Sequence, residues 1–332
     1  MGISRREIGR SRAVRVVLFV IVGVILLINP FFLSGYGQGV MTRFLCFALF
    51  AMSYNIVFGY TGLLSLGHAA FFGAGGYVVG VLKLRYDITL FWIGFPLGLL
   101  MSTITAALFG IIALRATGIY FLLVTFALGQ MLYSLAWNVK WLCSPGMNGI
   151  TAIPLPDLGI PGVTLNSTSF YYIVLGFFLI SALLLHRLVR SPYGLALVGI
   201  REDESRMKAI GYNTWFYKWM VFLITGFFAG IAGILFTYYN FFISPKHLGI
   251  STSFLPMVMS IIGGLGTFLG PVIGAAIYIL VETLAGTALP ERWPLILGGL
   301  FIVTIMFARK GIWEYLLRLW AETSFRDGST KS

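Results

Sequence analysis

Apolar runs of about twenty residues recur along this chain, and the short connections between them gather most of its charge. That spacing leaves few folds open. Inside a bilayer each backbone polar group must find its partner within the protein, so such a chain is read as a bundle of spanning helices. With 58% hydrophobic and 10% charged residues and a mean hydropathy of +0.92, the 332-residue chain is an all-α polytopic membrane protein rather than a soluble domain with a large core. Spans are predicted at 16–33, 40–58, 63–82, 88–114, 118–137, 170–186, 215–240, 252–269, 271–286 and 294–308, about ten transmembrane helices in one domain over 1–332. The first run follows five arginines. It is long for a signal peptide and no small-x-small cleavage site follows it, so it is read as a retained span with its N-terminus inside.

The net charge of +12 could suggest nucleic acid, but in a membrane chain a basic excess is the positive-inside signature. With ten spans and both termini inside, 17 of the 23 lysines and arginines fall on the cytoplasmic side, and Lys83 and Arg85 are among the six that do not. The tryptophans cluster at span ends or beyond them, as an interfacial belt requires. A C-terminal stretch, 312–320, is amphipathic and is expected to lie along the inner interface. Cys46 falls in a span and Cys143 in a loop, so no disulfide is expected, and no ligand spacing suggests a metal. No GxxxxGK[ST] phosphate loop occurs.

The most polar internal connection is 187–217, the predicted cytoplasmic loop, and its sequence reads as two short helices. Ser191 followed by Pro192 starts the first. A second is predicted from Glu202 to Ile210, with Glu202–Arg206 and Glu204–Lys208 pairs four residues apart and Gly211 ending it in a left-handed conformation. Asn213 or Thr214 would cap the next span. The longest outer connection, 138–169, holds four of the twelve prolines and reads as a structured loop too small to bury a core.

Two glycine-rich stretches lie in the membrane, 59–80 and 261–275. Small residues let helices approach closely, so packing is one reading. The other is a translocation pathway, with Ser65, Gly67 and His68 in one stretch and Gly263, Gly264 and Gly266 in the other. The two lie five spans apart, the offset expected of inverted repeats of spans 2–5 and 7–10. Of the ionisable groups in or near spans, Arg43, His68, Arg115, His186 and Glu282, His68 is the deepest, and a lone histidine beside glycines reads first as a helix–helix hydrogen bonder. A self-contained channel or secondary carrier would need a filter or a deep charge pair, and a membrane enzyme a clustered acid, base or metal set. The sequence offers neither.

The blocks SPYGLALVGIREDESRMKAIGYN (191–213), GLLSLGHAAFFGAGGYVVG (62–80), GIYFLLVTFALGQ (118–130), TGFFAGIAGILFT (225–237) and GGLGTFLGPVIGA (263–275) together resemble the LivM-type permeases of branched-chain amino acid ABC importers. The resemblance covers about 40–312. It implies the type II ABC importer architecture in a bacterial inner membrane, with a LivH-type second permease, two cytoplasmic ATP-binding subunits and a periplasmic solute-binding protein. It also implies that ATP is bound by those partners, that no cofactor is held by this chain, and that no nucleic acid is involved. Branched-chain amino acids are the expected cargo, with urea and short-chain amides carried by related permeases. In an importer of this kind the cytoplasmic loop is the coupling element, and Arg201, Glu202, Asp203, Glu204, Met207, Ile210 and Gly211 are its expected contacts with an ATPase. The chain departs from the family pattern at Ser144-Pro145-Gly146, where a Thr-Gly-Gly run is usual, and at Ala308-Arg309-Lys310-Gly311, where a proline is usual.

Overall fold

The computed structural model describes residues 34–139, 149–159 and 165–288, with Leu27 and nine residues between 295 and 313. The predicted first span apart from Leu27, most of the tenth, the 144–146 departure, Cys143 and most of the C-terminal stretch lie outside the described residues.

The described chain is helical, and its order follows the apolar runs. Helix α1 (Gly35–Asn55) continues into a π-helical turn (Ile56–Tyr60). Then come α2 (His68–Tyr86), α3 (Phe91–Ala113), α4 (Ile119–Asn138) and α5 (Ser167–Arg190). Two short helices, α6 (Pro192–Glu202) and α7 (Glu204–Ala209), lead to α8 (Thr214–Asn240), a 3-10 turn (Pro245–Leu248), α9 (Ile250–Gly263) and α10 (Gly270–Ala288). Among the described residues six helices are long and apolar enough to span a membrane: α1 with its π turn, α3, α4, α5, α8 and α10. The other two bundle helices depart from that pattern. Helix α2 is largely buried over 68–80 and exposed at 84–86, and α9 has 14 residues.

The buried part of α2 is enclosed by its neighbours. Helix α2 packs between α3 and α8 at backbone distance: a Cβ placed on Gly233 of α8 would lie 1.8 Å from the Phe72 carbonyl oxygen. The Ser102 hydroxyl of α3 sits between the carbonyls of Phe71 (2.7 Å) and Gly226 (2.8 Å), a polar bond joining α3 to α2 and α8 where no water competes. Around it Phe47, Phe50, Phe72 and Phe236 stack and tilt on one another at centroid separations of 4.6 to 6.2 Å. Helix α1 passes through the middle, touching α5, α8, α9 and α10.

The ends of α2 and α9 are reached by non-helical lead-in segments that come from opposite ends of the bundle. Residues 62–67 leave the α1 end that lies beside α6; residues 241–249 leave the far end of α8. That far end is closed by two isolated bridges, Ile150 with Ile243 and Leu90 with Asp157, made by the described part of the proline-rich connection. The first turns of α2 and α9 meet in between, where the Ala69 amide donates to Ser253 Oγ at 3.1 Å. The segment that leads into α9 is thus 241–249, and the glycine stretch at 261–275 lies at the other end of α9.

Candidate functional site

The loop between α5 and α8 is built by its caps. Ser191 Oγ accepts the Gly194 amide at 3.3 Å with Pro192 in the first helical position, so α6 starts where the sequence predicts. The second helix differs from the expectation. Asp203 breaks it: its carboxylate accepts the Arg206 amide at 3.0 Å, so Glu202 closes α6 and α7 begins at Glu204. A short acidic side chain that can bond its own backbone favours a cap over a helix interior. Arg206 consequently pairs with Asp203 at 3.6 Å in place of Glu202, while the Glu204–Lys208 pair forms at 3.1 Å. Gly211 has φ +93, which a residue with a Cβ adopts only under strain, and Asn213 caps α8 by accepting the Phe216 amide at 3.2 Å.

Two loop residues expected to face a partner are used inside the chain. Glu204 accepts hydrogen bonds from Thr214 (2.9 Å) and Lys208 through Oε1 and from Lys218 through Oε2. Burial pushes its carboxyl up, but the bonds from Lys218, Lys208 and Thr214 together outweigh that and hold it at about 2. It is a fixed anion tying α7 to α8. Met207 is half-buried and lies over Gly199, where a Cβ would be 2.8 Å from its sulfur, so it fastens α7 to α6. Exposed on the loop, among others, are Leu195, Arg201, Glu202, Arg206, Lys208, Ile210, Gly211 and Tyr212.

Arg201, an exposed residue of the last turn of α6, reaches across to the end of α1. Its guanidinium donates to the carbonyl of Gly59 in the π-helical turn, and its aliphatic stem packs over Gly62. Next to it stands the second glycine stretch: Asn55 Nδ2 donates to the Thr267 carbonyl at 2.9 Å and its Oδ1 accepts the Gly266 amide at 3.0 Å. A Cβ on Gly59 would lie 2.5 Å from the Gly266 nitrogen, and Gly266 itself has φ +73. Gly263 closes the crossing of α9 and α10, its position for a Cβ being 1.7 Å from the Gly270 carbonyl oxygen. Gly264 is overlaid by Gly311, whose Cβ would fall 2.1 Å from its Cα.

The other predicted pathway residues sit deeper. Ser65 is buried, and Gly67 abuts α4, where a Cβ would lie 2.5 Å from the Thr125 carbonyl oxygen. His68, fully buried, starts α2 with Nε2 3.0 Å from Ser53 Oγ. Ser53 gives its single hydroxyl hydrogen to the Phe50 carbonyl at 2.7 Å, so Nε2–H must be the donor to Ser53, and Nδ1 is left as a bare lone pair among the rings of Phe50, Tyr54 and Phe71. That is a neutral, hydrogen-bonding histidine. The six pathway candidates thus divide into Ser65, Gly67 and His68 at the meeting of α2 and α9, and Gly263, Gly264 and Gly266 at the loop end. Asn55, Thr125 and Ser253 join these groups and were missed by the sequence reading. The signal for Asn55 was present, since it is the one carboxamide in the predicted span 40–58.

Residues 38–307 match the family described as branched-chain amino acid transport system / permease component. The chain belongs to this family. It is similar to the high-affinity branched-chain amino acid transport system permease protein LivM of Salmonella typhimurium and to that of Escherichia coli. Each is 29% identical over 305 residues, which is 85% of this chain and 71% of the relative. A probable branched-chain amino acid transport permease protein LivM of Methanocaldococcus jannaschii is 26% identical over 264 residues, 70% of this chain and 76% of the relative. No solved structure matches significantly. Family membership and the six apolar helices together make this a multi-pass membrane protein, and its relatives are transport permeases, not enzymes.

Proposed function

We propose that the chain is one permease subunit of an ATP-driven importer for branched-chain amino acids, alternating access being driven by separate subunits. The observation that carries this is the family match over 38–307 on a chain whose one large polar loop is internally braced and outwardly apolar and charged. In this reading a LivH-type permease completes the pathway, two cytoplasmic ATPases bind ATP and press on α6 and α7, and a solute-binding protein delivers cargo at the far end. The chain is a single transmembrane domain of ten spans in a bacterial inner membrane, with both termini and the loop in the cytoplasm. The opposed lead-ins of α2 and α9 support two inverted repeats, each with an interrupted helix placed where a pathway would run.

The test is purification from native membranes followed by reconstitution in vesicles. Co-purification of ATPases and ATP-dependent uptake of leucine, isoleucine or valine are expected. ATP-dependent uptake of urea or acetamide in their place would move the cargo to the amide carriers, and uptake without ATP would overturn the importer. Sidedness is read from Ser205→Cys and Asp157→Cys, both exposed positions, which should react with an impermeant thiol reagent from opposite sides of the membrane.

A further inference from the structure

We propose that Arg201 is a positioning residue that couples the loop to both glycine turns, so that a partner's push on α6 moves the inner ends of α1 and of the α9–α10 hairpin together. This rests on the importer reading above.

The geometry is specific. Helix α6 exposes Leu195, Arg201 and Glu202, and of these Arg201, in its last turn, carries its guanidinium onto the backbone of another helix. The acceptor it reaches, Gly59, lies in a π-helical turn, where the shift from i+4 to i+5 bonding offsets the carbonyls from their usual partners. The amides that follow are spent elsewhere, Gly62 on the Phe58 carbonyl at 3.1 Å and Leu63 on Val57 at 3.2 Å. A cationic donor makes a stronger bond to a carbonyl than a neutral one does, and here the acceptor, Gly59, is buried although Arg201 is exposed. The same guanidinium nitrogen lies 3.2 Å from where a Cβ would stand on Gly266, and Gly266 is held to α1 by Asn55. Loop, first glycine turn and second glycine turn therefore share one contact, and small residues at 59, 62 and 266 are what let it form. A loop that served only as a connection would have no reason to send its arginine across 142 residues of sequence to a backbone carbonyl.

The experiment uses the assembled transporter with Arg201→Ala and Arg201→Lys. With Arg201→Ala the complex should assemble and hold its ATPases, and basal ATP hydrolysis should stay within about twofold, while solute imported per ATP falls by about tenfold or more. Arg201→Lys, which reaches the carbonyl but lacks the fork, should recover part of that ratio. A wild-type ratio in Arg201→Ala overturns the proposal. So does a parallel loss of folded complex and uptake, which would make the residue a brace only, or loss of bound ATPases, which would make it a docking contact. If the wild-type complex imports no solute at all, the importer reading fails separately. The junction is then read from spin labels on Ser205 of α7 and Ala276 of α10, both exposed. A distance distribution unchanged by Arg201→Ala would end the proposal there too.

Discussion

The Ala69 amide and the Ser253 hydroxyl, 184 residues apart in sequence, are hydrogen-bonded at 3.1 Å where the first turn of α2 meets the first turn of α9. A helix start leaves amides with no partner within the helix, and in the middle of a bilayer no water is at hand to take them. Ser253 supplies one of those partners from the other interrupted helix.

Replacing Ser253 by alanine leaves the Ala69 amide buried and unpaired, which costs about 1–3 kcal/mol. Ser253→Ala should therefore lower the thermal midpoint of the purified protein, while Ser253→Thr, which keeps the hydroxyl, should lower it less. Equal midpoints for wild type and Ser253→Ala would show that the amide finds another partner.

The loop's dependence on pH follows from Glu204. Its carboxyl is held at about 2 in the folded loop against an ordinary value of 4.5, so the folded state binds its proton more weakly than the unfolded one does. The stabilisation it gives is complete above about pH 4.5 and is lost as pH falls through about 2. Hydrogen-exchange protection factors for 204–214 should be flat from pH 7 to 5 and decline below that. In Glu204→Gln they should be low throughout and lose this pH dependence. A midpoint near 4.5 in the wild type would mean the lysines do not hold the carboxylate.

Gly263 tests packing against pathway. A methyl group there would stand 1.7 Å from the Gly270 carbonyl oxygen, which no side-chain motion relieves. Gly263→Ala should reduce folded protein and uptake in parallel, as seen by size-exclusion profile and transport assay. Normal assembly with selective loss of uptake would instead return this residue to the pathway.

For His68, a neutral donor to Ser53 is all the structure asks. His68→Gln can supply an N–H to the same hydroxyl, so it should retain most uptake, and its pH–uptake profile between 5.5 and 8, a range of about one unit either side of an ordinary histidine's, should parallel that of the wild type. A flattened profile in the variant would show that the imidazole carries protons during transport.

Much of the bundle was legible because hydropathy alone separates the long helices: the predicted 215–240 and 118–137 runs became α8 and α4 within a residue or two. The caps at Ser191 and Asn213 were legible for a local reason, since a cap bonds only to residues three positions away. What was hidden depends on tertiary contact. The late start of α2 at His68 could not be read, because 59–82 is apolar and glycine-rich throughout and nothing in it marks where coil gives way to helix. Glu204 and Arg201 look like solvated loop charges in sequence, and their contacts within the chain exist only once Lys218 and Gly59 are brought beside them. The break at Asp203 was legible in principle, since the same acidic side chain serves a helix end better than a helix interior.

The burial of α2 over most of 68–80 has a consequence for how the chain is made. Its 19 residues include Lys83, Arg85 and four glycines, so it is less apolar than the six long helices. The helix that covers its glycine face, α8, emerges from the ribosome about 150 residues later, on the order of ten to thirty seconds at ordinary synthesis rates. During that interval the face of α2 that packs on α8 has no protein partner from that helix. Chains truncated before residue 214 should therefore leave the 68–86 segment accessible to protease, and the translocon must hold half the bundle open until its middle can be filled.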